Sequence, residues 1–169
     1  MADPTTLCNF RLFQELSPAE CEQLARSLRE KSYPKGALIV TEGHPADNLY
    51  LVQSGSVRVT RMFGETELTV ATLEPNDHFG EMSLIDDHPH SASVVATGET
   101  VILELARADL QRLLDQSDSL KAKFWNAMAV ELSGRIRATT NTMRDYVGIN
   151  KALCENEKFR EFYILCNSH

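Results

Sequence analysis

Residues 48–62 read NLYLVQSGSVRVTRM, two strand-like runs separated by a serine-glycine pair. In the second run Val57 and Val59 alternate with polar residues, which is the pattern of a strand with one buried face. Gly55 can take the positive φ that a tight turn requires. The segment therefore predicts two consecutive strands joined by a short turn.

Four more runs rich in β-branched residues flank this segment. They are ALIVT at 37–41, ELTVATL at 67–73, SASVVAT at 91–97 and TVILEL at 100–105. Gly43, Gly64 and Gly98 lie between runs and favour turns there. Strands at this spacing predict a closed or nearly closed antiparallel β-barrel or jelly roll. Because helical patterns precede and follow the strands, the predicted fold class is α+β.

A helix is predicted before the strands. Ser17 can cap it, Pro18 at the first helical position loses no hydrogen bond, and Glu20 can complete a capping box. The apolar spacing continues through Leu28, so we expect this helix to run towards Lys31.

A second helical region follows the strands. A short helix is predicted in ARADLQRLLDQ at 106–116, and the polar residues at 117–119 can cap a long one. The long helix is expected from about Leu120 to Val147, about 40 Å at about 1.5 Å per residue, with Gly148 as its stop. The predicted divisions are a strand domain with N-terminal helices at 1–117, the long helix at 118–147, and a short helical tail at 148–169 that contains KFREFYIL.

One stripe of the long helix carries mostly apolar residues at intervals of three and four. Its average spacing of 3.5 residues is that of a seam facing another helix, which predicts a homodimer. The alternative is that the stripe packs on its own strand domain. The two arrangements are compatible if the first turns of the helix pack on the strand domain and its later turns pack on a second copy of the helix. The stripe consists of Trp125, Met128, Leu132, Ile136, Thr139, Met143 and Tyr146.

The composition excludes several classes of protein. Of 169 residues, 43% are hydrophobic and 24% are charged, as in a globular protein. The net charge of −7 argues against a nucleic-acid surface, and no DNA-reading module is predicted, so direct DNA binding is not expected. No apolar run of about 18 residues occurs, so no membrane span is expected. The N-terminal MADPTTLCNF lacks the regions of a signal peptide, which predicts a cytoplasmic location.

Neither a metal site nor an enzyme active site is expected. The four cysteines, at positions 8, 21, 154 and 166, form no C-x-x-C pair, so reduced structural thiols are expected. His88 and His90 share a loop with His78 nearby, and solvated histidines are a better reading than metal ligands. A hydrolase built from His78, Glu81, Ser83 and His90 lacks a nucleophile elbow and any ordered triad spacing.

Three segments occur in the order YPKGALIVTEG at 33–43, LYLVQSGSVRV at 49–59 and FGEMSLIDDHPHSA at 79–92. Together they resemble the cyclic nucleotide-binding domain family. That family includes the regulatory domains of cyclic-AMP-dependent kinase and the sensory half of the catabolite activator protein. The resemblance covers about residues 10–147. It implies a jelly roll with an internal cassette helix and a long C-terminal dimerisation helix.

The resemblance implies that residues 79–92 form a phosphate-binding cassette. In the family, the turn at the position of Gly80 lets backbone amides at a helix N-terminus face the cyclic phosphate. The acid at the position of Glu81 accepts a hydrogen bond from the ribose 2′-hydroxyl, and the residues at Ser91 and Ala92 add donors to the phosphate. The ligand-binding residues implied in this way are Phe79, Gly80, Glu81, Met82, Ser83, His90, Ser91 and Ala92, with Arg135 and Thr139 on the long helix.

Two positions depart from the family pattern. The cassette arginine that pairs with the phosphate falls on His90, and losing that hydrogen bond to a charged group weakens binding by about 10- to 100-fold. The adjacent hydroxyl residues that the catabolite activator branch places near the purine fall on Arg135 and Ile136. Thr139 and Thr140 come one turn later. Arg135 could instead reach a phosphate or a carbonyl group.

Two functional hypotheses follow. The first is a dimeric, non-enzymatic sensor that binds cyclic AMP or cyclic GMP weakly or atypically, requires no cofactor, and moves its long helix on binding. The second is a degenerate domain that binds no nucleotide and acts as a dimerising protein-interaction module. His90 favours the second, whereas Gly80, Glu81, Ser91 and Ala92 favour the first, which we prefer. A downstream protein partner is expected.

Overall fold

The computed structural model describes residues 4–155. The helices are α1 (Pro4–Leu7), α2 (Pro18–Ala25), α3 (Glu81–Asp86), α4 (Arg107–Gln116) and α5 (Asp118–Glu155), with a 3₁₀ turn at Arg11–Phe13. The strands are β1 (Leu28–Tyr33), β2 (Leu38–Val40), β3 (Asn48–Ser54), β4 (Val57–Phe63), β5 (Thr66–Leu73), β6 (His78–Phe79), β7 (Ser93–Ala96) and β8 (Thr100–Ala106). Among these helices, none is long and apolar enough to cross a lipid bilayer.

The strands form two four-stranded antiparallel sheets, with the orders β1-β8-β3-β6 and β2-β7-β4-β5. The α+β class and the jelly roll are therefore confirmed. The expected barrel closure is wrong, because the two sheets remain separate. Two sheets can bury their apolar faces against each other without closing. The core cluster of strand residues consists of Tyr33, Val40, Tyr50, Val52, Val57, Phe79, Val94, Ala96 and Ile102.

The predicted extension of α2 to Lys31 is wrong. The helix ends at Ala25, and residues 28–33 form β1, which pairs with β8 along its whole length. The segment LREKSY lacks an apolar alternation, and only its two end residues are buried. Pairing with β8 therefore overrides the local helical spacing, as tertiary context commonly does for strands.

The capping box predicted for α2 is present, and Glu20 has further partners. Its amide donates to the Ser17 hydroxyl, and its carboxylate accepts from the Ser17 amide at 2.7 Å. The same carboxylate accepts from the Ser119 hydroxyl at 3.1 Å and from the Lys123 ammonium at 2.8 Å. The hydrogen bond from Lys123, with those from Ser17, lowers the pKa of Glu20 to about 2. Glu20 therefore joins the start of α2 to the start of α5.

The N-terminal helices are joined by a disulfide between Cys8 and Cys21. The expectation of reduced thiols is therefore wrong for this pair. The spacing of the cysteines in the sequence does not predict this disulfide. The two Cα atoms come to 6.4 Å, a separation that a disulfide spans, only when α1 and the chain after it pack against α2. The side chains of the cysteines at 154 and 166 lie outside the described residues.

The predicted helix stop at Gly148 is also wrong, because α5 continues to Glu155. A glycine costs about 1 kcal/mol in a helix interior, which is too little to end a long helix. The chain divides into two compact units, Met1–Ala127 and Met128–His169. The predicted domain boundaries at 117 and 147 stay predictions, and the tail segment KFREFYIL lies outside the described residues.

The apolar stripe of α5 is unevenly exposed. Met128 is buried, whereas Ile136 and Met143 are 67% and 66% exposed. Trp125 and Thr139 are exposed and Leu132 is half-buried, while the Tyr146 side chain lies outside the described residues. The later turns of the helix thus present apolar side chains to solvent in a single copy of the chain.

Candidate functional site

The turn at Gly80 leaves no room for a side chain. β6 pairs Phe79 with Tyr50 of β3, and the chain then turns with Gly80 at a φ of +83°. A Cβ atom on Gly80 would lie 2.7 Å from the Asn48 carbonyl oxygen and 3.0 Å from the Tyr50 ring. Both the backbone conformation and the space therefore require glycine.

Helix α3 begins directly after this turn and buries two polar side chains. Glu81 and Ser83 are each 3% exposed, while Met82 between them is 51% exposed. The N-cap residue is Gly80, which has no side chain that could accept from the amides of the first turn. Glu81 lies in that turn, where the partial positive charge of the helix end favours a carboxylate. The start of α3 thus combines backbone donors with one buried acid.

His90 lies at the other end of the cassette and is 7% exposed. Its amide donates to the His44 carbonyl at 3.0 Å, and its carbonyl accepts from the Gly43 amide at 2.8 Å. Burial lowers the pKa of His90 below its ordinary value, while the Asp47 carboxylate opposes this shift and His44 reinforces it. The imidazole is therefore mainly neutral at pH 7, so this position offers no fixed positive charge.

The structure brings both ends of the cassette together around Tyr50, which is not among the predicted site residues. The Tyr50 ring stacks on Phe79 with ring centroids 4.7 Å apart, and it lies 6.2 Å from the His90 ring. The hydroxyl of Ser91 lies 4.0 Å from the Met82 sulfur, and Ala92 follows half-buried on the way to β7. The position of Tyr50 within LYLVQSGSVRV is a signal that could have identified it.

Arg107, at the start of α4, is a second residue that contacts the cassette and is not among the predicted site residues. Its guanidinium donates to the carboxylate of Asp87, which follows α3, and to the carbonyl of Ser83 within α3. No spacing rule relates residues 20 apart across a strand, so only the fold reveals this contact.

Two of the predicted ligand residues lie in the second compact unit. Thr139 donates its hydroxyl to the Arg135 carbonyl at 2.9 Å, and Thr140 does the same to Ile136 at 2.8 Å. Each hydroxyl therefore bonds within its own helix. Arg135 is half-buried, and Thr139 is exposed. A ligand role for Arg135 and Thr139 stays a prediction.

The three histidines differ in their surroundings. His78 is 2% exposed in β6, so with His90 it contradicts the expectation of solvated loop histidines. The side chain of His88 is 78% exposed, and its Nδ1 atom lies 2.8 Å from the Asp86 carbonyl oxygen. Within residues 4–155, no group of three or more His, Cys, Asp or Glu side chains is arranged to hold a metal ion. His78 lies in a strand that pairs with β3, and His90 bonds to the neighbouring backbone of Gly43 and His44, so both are buried.

Known protein sequences match the strand region and the cassette. The model of the cyclic nucleotide-binding domain matches residues 30–117. The cyclic AMP receptor protein of Thermus thermophilus is 41% identical over 104 residues, which is 61% of this chain and 48% of that relative. The chain spans about a quarter to a half of the length of the first curated relatives it matches.

Solved structures match the same architecture. The catabolite activator protein of Thermus thermophilus superposes with a TM-score of 0.71 at 34% identity, covering 85% of this chain and 65% of that chain. The regulatory domain of Toxoplasma gondii PKA, co-crystallised with cAMP, superposes with a TM-score of 0.63 at 30% identity. That match covers 71% of this chain and 47% of the other.

Proposed function

We propose that this chain, which belongs to the cyclic nucleotide-binding domain family, is a sensor module that binds a cyclic nucleotide at residues 79–92. The domain is not an enzyme, since its relatives are receptor and regulatory proteins. One observation carries the proposal: the glycine-only turn at Gly80 is followed at once by the buried carboxylate of Glu81. The family uses this pair for the phosphate and the ribose.

The proposed ligand is cyclic AMP or cyclic GMP. Backbone amides after Gly80 and donors at Ser91 and Ala92 would bind the cyclic phosphate, and Glu81 would accept from the ribose 2′-hydroxyl. A neutral His90 supplies at most a neutral hydrogen bond to the phosphate. We therefore expect an affinity about 10- to 100-fold weaker than a cassette arginine would give.

Glu81→Gln is expected to weaken cyclic AMP binding by about 10-fold or more, because the ribose hydroxyl loses a charged acceptor. The measurement is calorimetric titration of cyclic AMP and cyclic GMP at pH 7. Asp86→Asn is the matched control, since Asp86 is exposed at the last position of α3 and its carboxylate accepts from the His88 amide at 3.1 Å. Asp87 is unsuitable because it pairs with Arg107. Equal losses in the Glu81 and Asp86 variants would place ribose recognition elsewhere.

The buried, mainly neutral His90 favours a second candidate function, an interaction module that binds no nucleotide. A thermal-shift screen with cyclic mono- and dinucleotides separates the two. A ligand at 100 times its dissociation constant stabilises the folded protein by about 2.7 kcal/mol. A melting temperature that stays constant throughout would support the interaction module and reject the sensor.

We also propose that the chain forms a homodimer through α5. The support is that two apolar members of the stripe, Ile136 and Met143, are 67% and 66% exposed on a helix of 38 residues. A second copy of this helix offers the same apolar stripe at the same spacing. In this proposal the dimer acts on a downstream protein in the cytoplasm without binding DNA itself.

Leu132→Asp combined with Ile136→Asp is expected to convert the dimer to a monomer, because two charges would enter an apolar interface without partners. Light scattering should give twice the chain mass of 19.0 kDa for the wild type and the single mass for the variant. Thr140→Asp with Asn141→Asp adds the same charge beside the predicted stripe and should leave the dimer intact. A wild type that stays monomeric at high concentration would contradict the proposed dimer.

A further inference from the structure

Arg107 contacts the chain on two sides. On one side its guanidinium donates to the Ser83 carbonyl within α3 and to the carboxylate of Asp87, which follows that helix. On the other side its Nη2 lies 3.5 Å from the Ala46 carbonyl, and its backbone amide donates to the Asp47 carbonyl at 2.8 Å. Arg107 therefore bonds to the cassette helix and to the loop between β2 and β3, residues 41–47.

The same 41–47 loop holds His90. The Gly43 amide donates to the His90 carbonyl, and the His90 amide donates to the His44 carbonyl. Arg107 thus bonds to residues 46 and 47 of this loop, and His90 bonds to residues 43 and 44 of it. The guanidinium also donates to the carbonyl of Ser83, two residues after Glu81, so it contacts α3 as well as the loop that holds His90.

Arginine suits this position better than lysine. A planar guanidinium can direct several donors at separate acceptors, whereas an ammonium acts as a compact point charge. The Ser83 carbonyl already accepts from the amide of Asp87, which takes a left-handed conformation with a φ of +58° after the last turn, so the guanidinium adds a second donor to that carbonyl. The Arg107 side chain is 33% exposed and that of Asp87 is 79% exposed, so water screens their ion pair and the contacts with backbone carbonyls matter beside it.

We propose that Arg107 is a positioning residue that holds the cassette helix and the His90 loop in their ligand-binding arrangement. This inference rests on the proposed nucleotide-binding function for its effect on affinity. Arg107 itself makes no ligand contact in this proposal. Its position at the first residue of α4 also places the start of that helix in direct contact with the cassette.

The test begins with the ligand-free protein, so it does not depend on nucleotide binding. In Arg107→Gln, amide hydrogen exchange in residues 43–47 and 83–90 should accelerate about 10-fold or more, while exchange in β3 and β8 stays as in the wild type. NMR titration should show the pKa of His90 moving up towards its ordinary value, because the loosened loop exposes the imidazole to water. Arg107→Lys should restore only part of the protection.

Cyclic AMP affinity is measured on the same proteins by calorimetry. We expect Arg107→Gln to weaken binding about 10-fold, as for the loss of hydrogen bonds from a charged group. Arg112→Gln is the matched control, because Arg112 lies on the same helix and its exposed guanidinium pairs with Asp109, away from the cassette helix and the 41–47 loop. It should leave exchange, the His90 pKa and affinity unchanged.

Asp87→Asn provides a second variant should Arg107→Gln fail to fold, since it keeps the arginine and removes one acceptor charge. It should accelerate exchange in residues 83–90 with a smaller effect in residues 43–47. Wild-type exchange in both variants, or acceleration spread evenly over β3 and β8, would overturn the proposal. If no protein binds cyclic AMP while exchange still accelerates locally, the positioning role stands and the nucleotide-binding function fails.

Discussion

Gly80→Ala is expected to abolish nucleotide binding and to lower the free energy of unfolding by about 2–4 kcal/mol. The loss arises because alanine is strained in the left-handed backbone conformation and because its Cβ atom overlaps neighbouring atoms. The added Cβ meets the Asn48 carbonyl, which is backbone of β3 and cannot rotate away. Relief therefore requires the turn itself to move, and the amides at the start of α3 move with it. Chemical denaturation gives the stability, and calorimetry with cyclic AMP gives the affinity.

Gly55→Ala is the matched control for this variant. Gly55 also has a positive φ, and its Cβ would lie 2.8 Å from the Thr100 Cα atom, so a comparable loss of stability is expected. It lies at the turn between β3 and β4, outside the cassette. Below its melting temperature, the Gly55 variant should retain wild-type affinity. Normal binding by Gly80→Ala would show that the turn takes no part in ligand recognition.

His90→Arg is expected to strengthen cyclic AMP binding at pH 7 by about 10- to 100-fold, because a permanent guanidinium replaces a mainly neutral imidazole opposite the phosphate. His88→Arg adds the same charge two residues away at a side chain that is 78% exposed, and it should change affinity little. Calorimetric titration of both variants and the wild type provides the comparison.

The wild type should also show a pH dependence that His90→Arg lacks. Bound anion favours the protonated imidazole, so binding raises the pKa of His90 and affinity increases as the pH falls. Because burial lowers the pKa of His90 in the free protein, the increase should lie mainly below the ordinary histidine value of about 6.5. An affinity independent of pH in the wild type would mean that His90 does not face the phosphate. Binding by the arginine variant alone would favour the interaction module as the natural function.

Much of the fold could be predicted because its strands carry their own local pattern. NLYLVQS coincides with β3, and the other five predicted runs became β2, β4, β5, β7 and β8. β1 escaped prediction because LREKSY has no alternation and is a strand only through its pairing with β8. Barrel closure could not be inferred from the sequence. The alternation of apolar and polar residues shows which side chains share a face of a strand, but it does not show which strands pair with each other.

The candidate site was predictable where its chemistry is local. The turn at Gly80 and the acid at Glu81 are adjacent in sequence, and the structure has both in one turn. Tyr50 was missed although it lies within LYLVQSGSVRV, one of the three segments that carry the resemblance. Arg107 was missed because it reaches the cassette from α4, at a separation that no motif spans. The burial of His90 was missed for the same reason, since the 41–47 loop that covers it is distant in sequence.

Glu20 gives this domain a cooperative connection between its N-terminal and C-terminal helices. Its carboxylate accepts from Ser17 at the cap of α2 and from Ser119 and Lys123 on α5, so displacing the first turns of α5 removes two of the donors that hold this carboxylate. Because the folded-state pKa is lowered to about 2, the stabilisation is complete above the unfolded value of about 4.3 and is lost as the pH falls to the folded value. A ligand that moved the beginning of α5 away from α2 would therefore have to break the bonds from Ser119 and Lys123 to Glu20.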